Sequence, residues 1–182
     1  MIHLRVSSLS LLLAGFLLAA FSLAAVAEGF YVGLSGSRAD VKISKTHFNP
    51  TLSRLHLGGW IWKGIGMELN ASSNANEDTQ RGLTTEISQI VSVAARFQSP
   101  EEWGLKAYVL LGASRLTLHS ASTGSDFPGS EDLDGGMVSL GLLAPITADR
   151  RMALMAQLTN YFVDSDNDIK IYSGSLGFHY EF

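Results

Sequence analysis

The chain of 182 residues contains no cysteine. That removes a disulfide framework, a thiol nucleophile and a thiolate metal site at once. Proline is scarce at 4, against 18 glycines, the balance of a chain whose strands must twist and turn. An excess of positive charge is lacking too. The net charge is −4, which argues against nucleic acid as a partner. Beyond residue 27 no apolar run is long enough for a transmembrane helix.

The one long apolar run lies at the front, MIHLRVSSLSLLLAGFLLAAFSLAAVA over residues 1–27. His3 and Arg5 precede it, and Ala25-Val26-Ala27 forms the small-residue box of a signal cleavage site. A retained anchor is the alternative, since ~18 apolar residues can span a bilayer. The well-formed box, followed at once by strand-like sequence, predicts cleavage after Ala27. The mature chain is then 28–182, a length suited to one domain.

What is there instead of helices is a period of two. Eight segments carry it: 29–38, 53–62, 65–74, 84–97, 105–118, 136–147, 152–163 and 169–182. Phe30, Val32 and Leu34 alternate with Tyr31, Gly33 and Ser35 in the first. Val91, Val93, Ala95 and Phe97 oppose Ser88, Ser92, Ala94 and Arg96 in the fourth. The fifth is apolar on both faces around Tyr108–Leu111. Placing Val109, Leu111 and Ala113 outside turns Lys106 inward. The polar faces are rich in Gly, Ser and Ala, which suits the crowded interior of a narrow closed barrel.

Connection lengths alternate. Lys63-Gly64, Gln98–Gly104 and Thr147–Arg151 are short, whereas 39–52, 75–83 and 119–135 are longer and polar; 164–168 is short for this pattern. Strands running up and down place the short turns at one end and the long loops at the other. Strands facing lipid must pair every backbone group, so the sheet has to close without an edge. Each needs ~9–11 residues to cross, and about 8 strands make the smallest such barrel. Alternation alone does not say which face points outward. A secreted lipocalin-like barrel or β-sandwich would bury the apolar faces instead.

The chain ends Ser-Leu-Gly-Phe-His-Tyr-Glu-Phe, with Tyr172, Leu176, Phe178, Tyr180 and Phe182 on one face and Gly174 interrupting them. Together with Gly-Phe-Tyr-Val-Gly at 29–33, this resembles the small eight-stranded outer-membrane barrels of the OmpA and OmpX type. The resemblance implies an all-β, antiparallel, up-and-down transmembrane barrel in a Gram-negative outer membrane. It also implies that the outer-membrane assembly machinery reads the terminal strand. Trp60, Trp62, Phe97 and Trp103 cluster near the short turns, where a periplasmic aromatic girdle is expected.

Catalysis finds no support in the motifs. A lipid A deacylase of this barrel class places His and Ser two residues apart on one face. Here His119 is followed by Ser120, Ala121 and Ser122, so no serine shares its face at that spacing. A palmitoyltransferase barrel would carry an amphipathic helix before the first strand, and Phe30 follows the cleavage site too closely for one. Asp126, Glu131, Asp132 and Asp134, with Asp164, Asp166 and Asp168, match no EF-hand pattern. They read as solvated loops that could at most bridge divalent ions to lipopolysaccharide phosphates. Glu68, Arg96 and Lys106 are expected inside the barrel, as a Glu68–Arg96 pair with Lys106 near. His56 and His179 are expected there as hydrogen-bond partners. No cofactor or metal is called for.

The reading is a monomer with a structural or surface-interaction role, in envelope integrity or adhesion through the outer loops. Its partners are outer-membrane lipids, lipopolysaccharide and a host or cell-surface ligand. A narrow ion-leak pore and a lipid A-modifying enzyme are the alternatives. No peptidoglycan-binding domain is expected after Phe182.

Overall fold

The computed structural model describes residues 29–43, 46–76, 78–80, 83–122, 129–163 and 170–182. The expected leader lies outside them. Ten strands follow one another: β1 (Phe30–Ile43), β2 (Thr46–Phe48), β3 (Thr51–Trp62), β4 (Ile65–Asn76), β5 (Asp78–Gln80), β6 (Leu83–Gln98), β7 (Lys106–Ser122), β8 (Gly129–Pro145), β9 (Met152–Val163) and β10 (Lys170–Glu181). Eight form the barrel in the order β1-β3-β4-β6-β7-β8-β9-β10, every pair antiparallel. β10 returns to β1 and closes the ring. The short β2 and β5 fold back on β1 and β6.

Closure runs from Tyr31 opposite Glu181 to Lys42 opposite Lys170. At its lower end Phe182 N–H donates to the Phe30 carbonyl at 2.9 Å, and the two rings stack with centroids 4.2 Å apart. The short connections are tight turns. Trp103 and Gly104 both take positive φ, 52° and 76°, and Glu102 and Leu105 exchange both backbone hydrogen bonds around them. This is the two-residue hairpin whose twist matches that of the strands.

Which face looks out is settled by exposure. Leu176 is 72% and Leu158 69% accessible, and Leu34, Leu140 and Phe178 join them outside. Ser35, Ser92, Ser139, Thr159 and Ser175 are buried inside. Polar in and apolar out is the polarity of a barrel in lipid, and it removes the soluble alternative for this stretch of wall.

Several sequence expectations need correction. Segments 39–52 and 119–135, read as polar loops, are largely strand: β1 runs to Ile43, β7 to Ser122, and β8 starts at Gly129. Here the face rule inverts. Arg115, Asp132 and Asp134 point to solvent while Leu116 and Leu133 are buried. The polar residues that looked like loop are the water-facing side of a taller wall. Ser88, placed on the inner face with Ser92, sits in a bulge between Ile87 and Gln89. The extra residue shifts the phase and turns Ile87 inward, fully buried. Trp60 is corrected below.

Candidate functional site: the barrel lumen

The lumen has two zones. In the periplasmic half Arg96 Nη1 donates to Glu68 Oε2 at 2.6 Å, and the side chains are 0% and 2% exposed. Tyr31 O–H donates to the same oxygen at 3.2 Å, and Arg96 Nη2 donates to Gln98 Oε1 at 2.9 Å. Two rings flank the guanidinium, Tyr108 at 3.9 Å and Tyr31 at 4.7 Å from centroid to Cζ. A charge this deep requires such pairing, because desolvation would otherwise cost several kcal/mol per ion (~3–5 when one partner is lost).

The tyrosines lie flat because of what faces them. Tyr31 is paired across strands with Gly58, and Tyr108 with Gly141. A Cβ on either glycine would meet the facing ring at 2.1 Å. Each glycine thus makes room for one ring, and the two rings hold one arginine. Tyr108 O–H then donates to Gln157 Oε1 at 2.8 Å, and Gln157 Nε2 donates to Thr159 Oγ1 at 2.9 Å. His56 and His179 face each other inside, ring nitrogens 3.3 Å apart.

Lys106 does not join the Glu68–Arg96 pair. Its Nζ reaches Glu181 Oε2 at 3.4 Å, nearer the periplasmic mouth. Trp60 is not in the girdle. It is buried in the lumen, and its indole N–H donates to Glu181 Oε1 at 2.8 Å. In the sequence it alternates with Ile61, which is exposed, and so shares the inner face with His56. A register shift between Trp60 and Trp62 separates their directions. Trp62, Phe97 and Trp103 are exposed at the short-turn end, Trp103 at 99%. Tyr172, Leu176, Phe178 and Phe182 are exposed along β10, with Tyr180 half-buried beside Phe182.

Sequence reasoning missed Arg54, which is buried above the histidines. Its Nε donates to Ser72 Oγ at 3.3 Å, and its Nη2 donates to Tyr161 O–H at 2.8 Å and Ser173 Oγ at 3.3 Å. Strict alternation from His56 would have found it.

Above Arg54 the lumen becomes apolar. Val41, Phe48, Leu52, Ile87, Leu116, Leu133 and Ile171 are buried together there. Outside this cap Arg115 binds both Asp134 oxygens, at 2.6 and 2.7 Å, and holds that carboxyl below its ordinary range. Thr117 donates to Asp132 at 2.7 Å. The side chains of His119, Ser120, Ser122 and Glu131, and residues Asp126, Asp164, Asp166 and Asp168, lie outside the described residues.

Neither a protein-family model nor a curated sequence matches this chain. Solved structures do. Neisserial surface protein A superposes with a TM-score of 0.62 at 17% identity, over 84% of this chain and 97% of that one. Ail, the attachment invasion locus protein of Yersinia pestis, solved in complex with the heparin analogue sucrose octasulfate, gives 0.60 at 19%, over 85% and 99%. OprG, an outer membrane protein of Pseudomonas aeruginosa, gives 0.58 at 12%, over 86% and 97%. The shared fold is the small eight-stranded outer-membrane barrel.

Proposed function

We propose that this barrel, built on the fold of the small outer-membrane proteins and carrying their polarity, serves the cell envelope through its outer rim. Its role is structural or surface-interacting: envelope integrity, or adhesion to a host or cell-surface ligand. One observation carries the reading. The interior is occupied by its own side chains, charged below and apolar above, while β6, β7 and β8 run 16, 17 and 17 residues. About 9–11 residues cross the membrane, so those walls continue past it as a ribbon facing water.

The likeness to Ail, a protein named for attachment and seen with a sulfated ligand, supports a binding role at that height. The apolar belt takes outer-membrane lipid and lipopolysaccharide as its surroundings. The aromatic face of β10 is what the assembly machinery reads on this proposal. The barrel acts as a monomer and needs no catalysis.

The test shortens the β7–β8 hairpin, replacing residues 119–132 by an Asn-Gly turn. Heat-modifiable gel migration checks that the barrel still closes. Cells carrying the shortened protein lose adhesion to host cells or become sensitive to SDS. If they match cells carrying the full chain in both assays, the outer rim is not the working surface. Planar-bilayer recordings of the full barrel separate out the leak pore, with no steady conductance expected. Lipid A mass spectrometry with and without the protein separates out the enzyme, with identical spectra expected.

A further inference from the structure

Inward-facing charges among the described residues do not balance. Arg54, Arg96 and Lys106 are cationic, and Glu68 and Glu181 anionic. Arg96 and Lys106 each have a carboxylate. Arg54, 2% exposed, has only the three hydroxyl oxygens of Ser72, Tyr161 and Ser173 among the described residues. Those contacts are made through Nε and Nη2.

The walls beside Arg54 carry spare donors. Ser35 is its register partner on β1, and Ser175 lies two residues below Ser173 on β10. Both hydroxyls are buried and lack a hydrogen-bond partner. Buried hydroxyls and cations are ordinarily satisfied, so two unpartnered hydroxyls beside a guanidinium that has no carboxylate ask for an acceptor. An oxygen ligand from the protein would have to be a carboxylate to balance the charge, and β1, β3 and β10 offer none facing in at that height. The lumen is too narrow for a large anion.

We infer that the lumen holds a small monovalent anion of the halide class, chloride in the cell, on the Arg54 guanidinium. Ser35 and Ser175 donate to it from the adjoining strands. The site lies at the join between the charged lower zone and the apolar cap, so the ion completes the polar zone where the cap begins. This inference does not depend on the role of the outer rim.

The experiment uses the folded barrel in detergent micelles. Urea unfolding midpoints are measured in sodium chloride, sodium bromide and sodium gluconate at equal ionic strength. Halide raises the midpoint in a saturable way, and at 100 times the dissociation constant the folded-to-unfolded ratio gains about 100-fold over gluconate. Arg54→Met loses this dependence, and Arg54→Lys retains it in part. Equal midpoints in chloride and gluconate would mean that water alone solvates Arg54, and would overturn the inference. So would an undiminished halide effect in Arg54→Met. Should Arg54→Met fail to fold, bromide soaked into crystals of the unaltered protein decides. An anomalous peak within hydrogen-bond distance of Arg54 upholds the site, and its absence removes it.

Discussion

On β8, Leu140 faces lipid and Ser139 is buried; six residues nearer the outer rim, Asp134 faces water and Leu133 is buried. The backbone ladder to β7 is continuous between them, from Leu133 opposite Leu116 to Leu140 opposite Val109. What changes is the medium outside. In the belt the exterior solvent is acyl chain, so leucine goes out and the polar side chain goes in. Above it the exterior is water, and the ordinary hydrophobic effect drives Leu116, Leu133 and Ile171 to the axis. One sheet thus carries a membrane barrel below and a water-soluble barrel above. Neither half of the lumen is vacant, but they are filled by different physics: directional pairing of charges below, non-directional burial above.

Breaking the lower zone should have the largest effect. Glu68→Ala strands Arg96 and is expected to cost ~3–5 kcal/mol in urea unfolding from lipid vesicles. The double variant Glu68→Ala, Arg96→Met should recover part of that loss, because it removes the stranded charge. Strictly additive single effects would show that the two residues do not act as a pair. In the upper zone Leu116→Ala is expected to cost ~2–4 kcal/mol, the transfer and cavity cost of a buried leucine. A loss below ~1 kcal/mol would mean that the cap is wet rather than packed.

Gly141→Ala sharpens the contrast further. Its methyl would drive Tyr108 off the Arg96 guanidinium, with a loss of ~1–3 kcal/mol from overpacking. A neutral outcome would free the ring from its glycine. The smallest effect belongs to the outer surface of the cap. Arg115→Ala removes a pair with Asp134 that is open to solvent, and the unfolding midpoint should not move. A clear drop would make that pair a fastener of the ribbon.

The belt was legible because alternation, turn length and the aromatic face of β10 all point the same way. The Glu68–Arg96 pair was legible for the same reason: two opposite charges on inner faces of adjacent strands have nowhere else to go. The cap was not legible. Its alternation continues with the sign reversed, and a reader expecting leucine outside sees Arg115, Thr117, Asp132 and Asp134 as a polar loop. Ser88 shows a second limit, since one extra residue in a bulge changes the phase and leaves no mark in composition. Lys106 shows a third. Its inward direction follows from parity, but its choice of Glu181 over Glu68 depends on height along the axis, which parity does not carry.

The seam between β1 and β10 has a consequence in time. It joins residues near 30 to residues near 180, the most remote pairing among the described residues. Distant pairings are slow because the entropy of the intervening chain is lost before the contact returns anything. Zipping that seam is therefore the step that should set the rate of assembly, and weakening the Phe30–Phe182 stack should delay the finished barrel more than it loosens it.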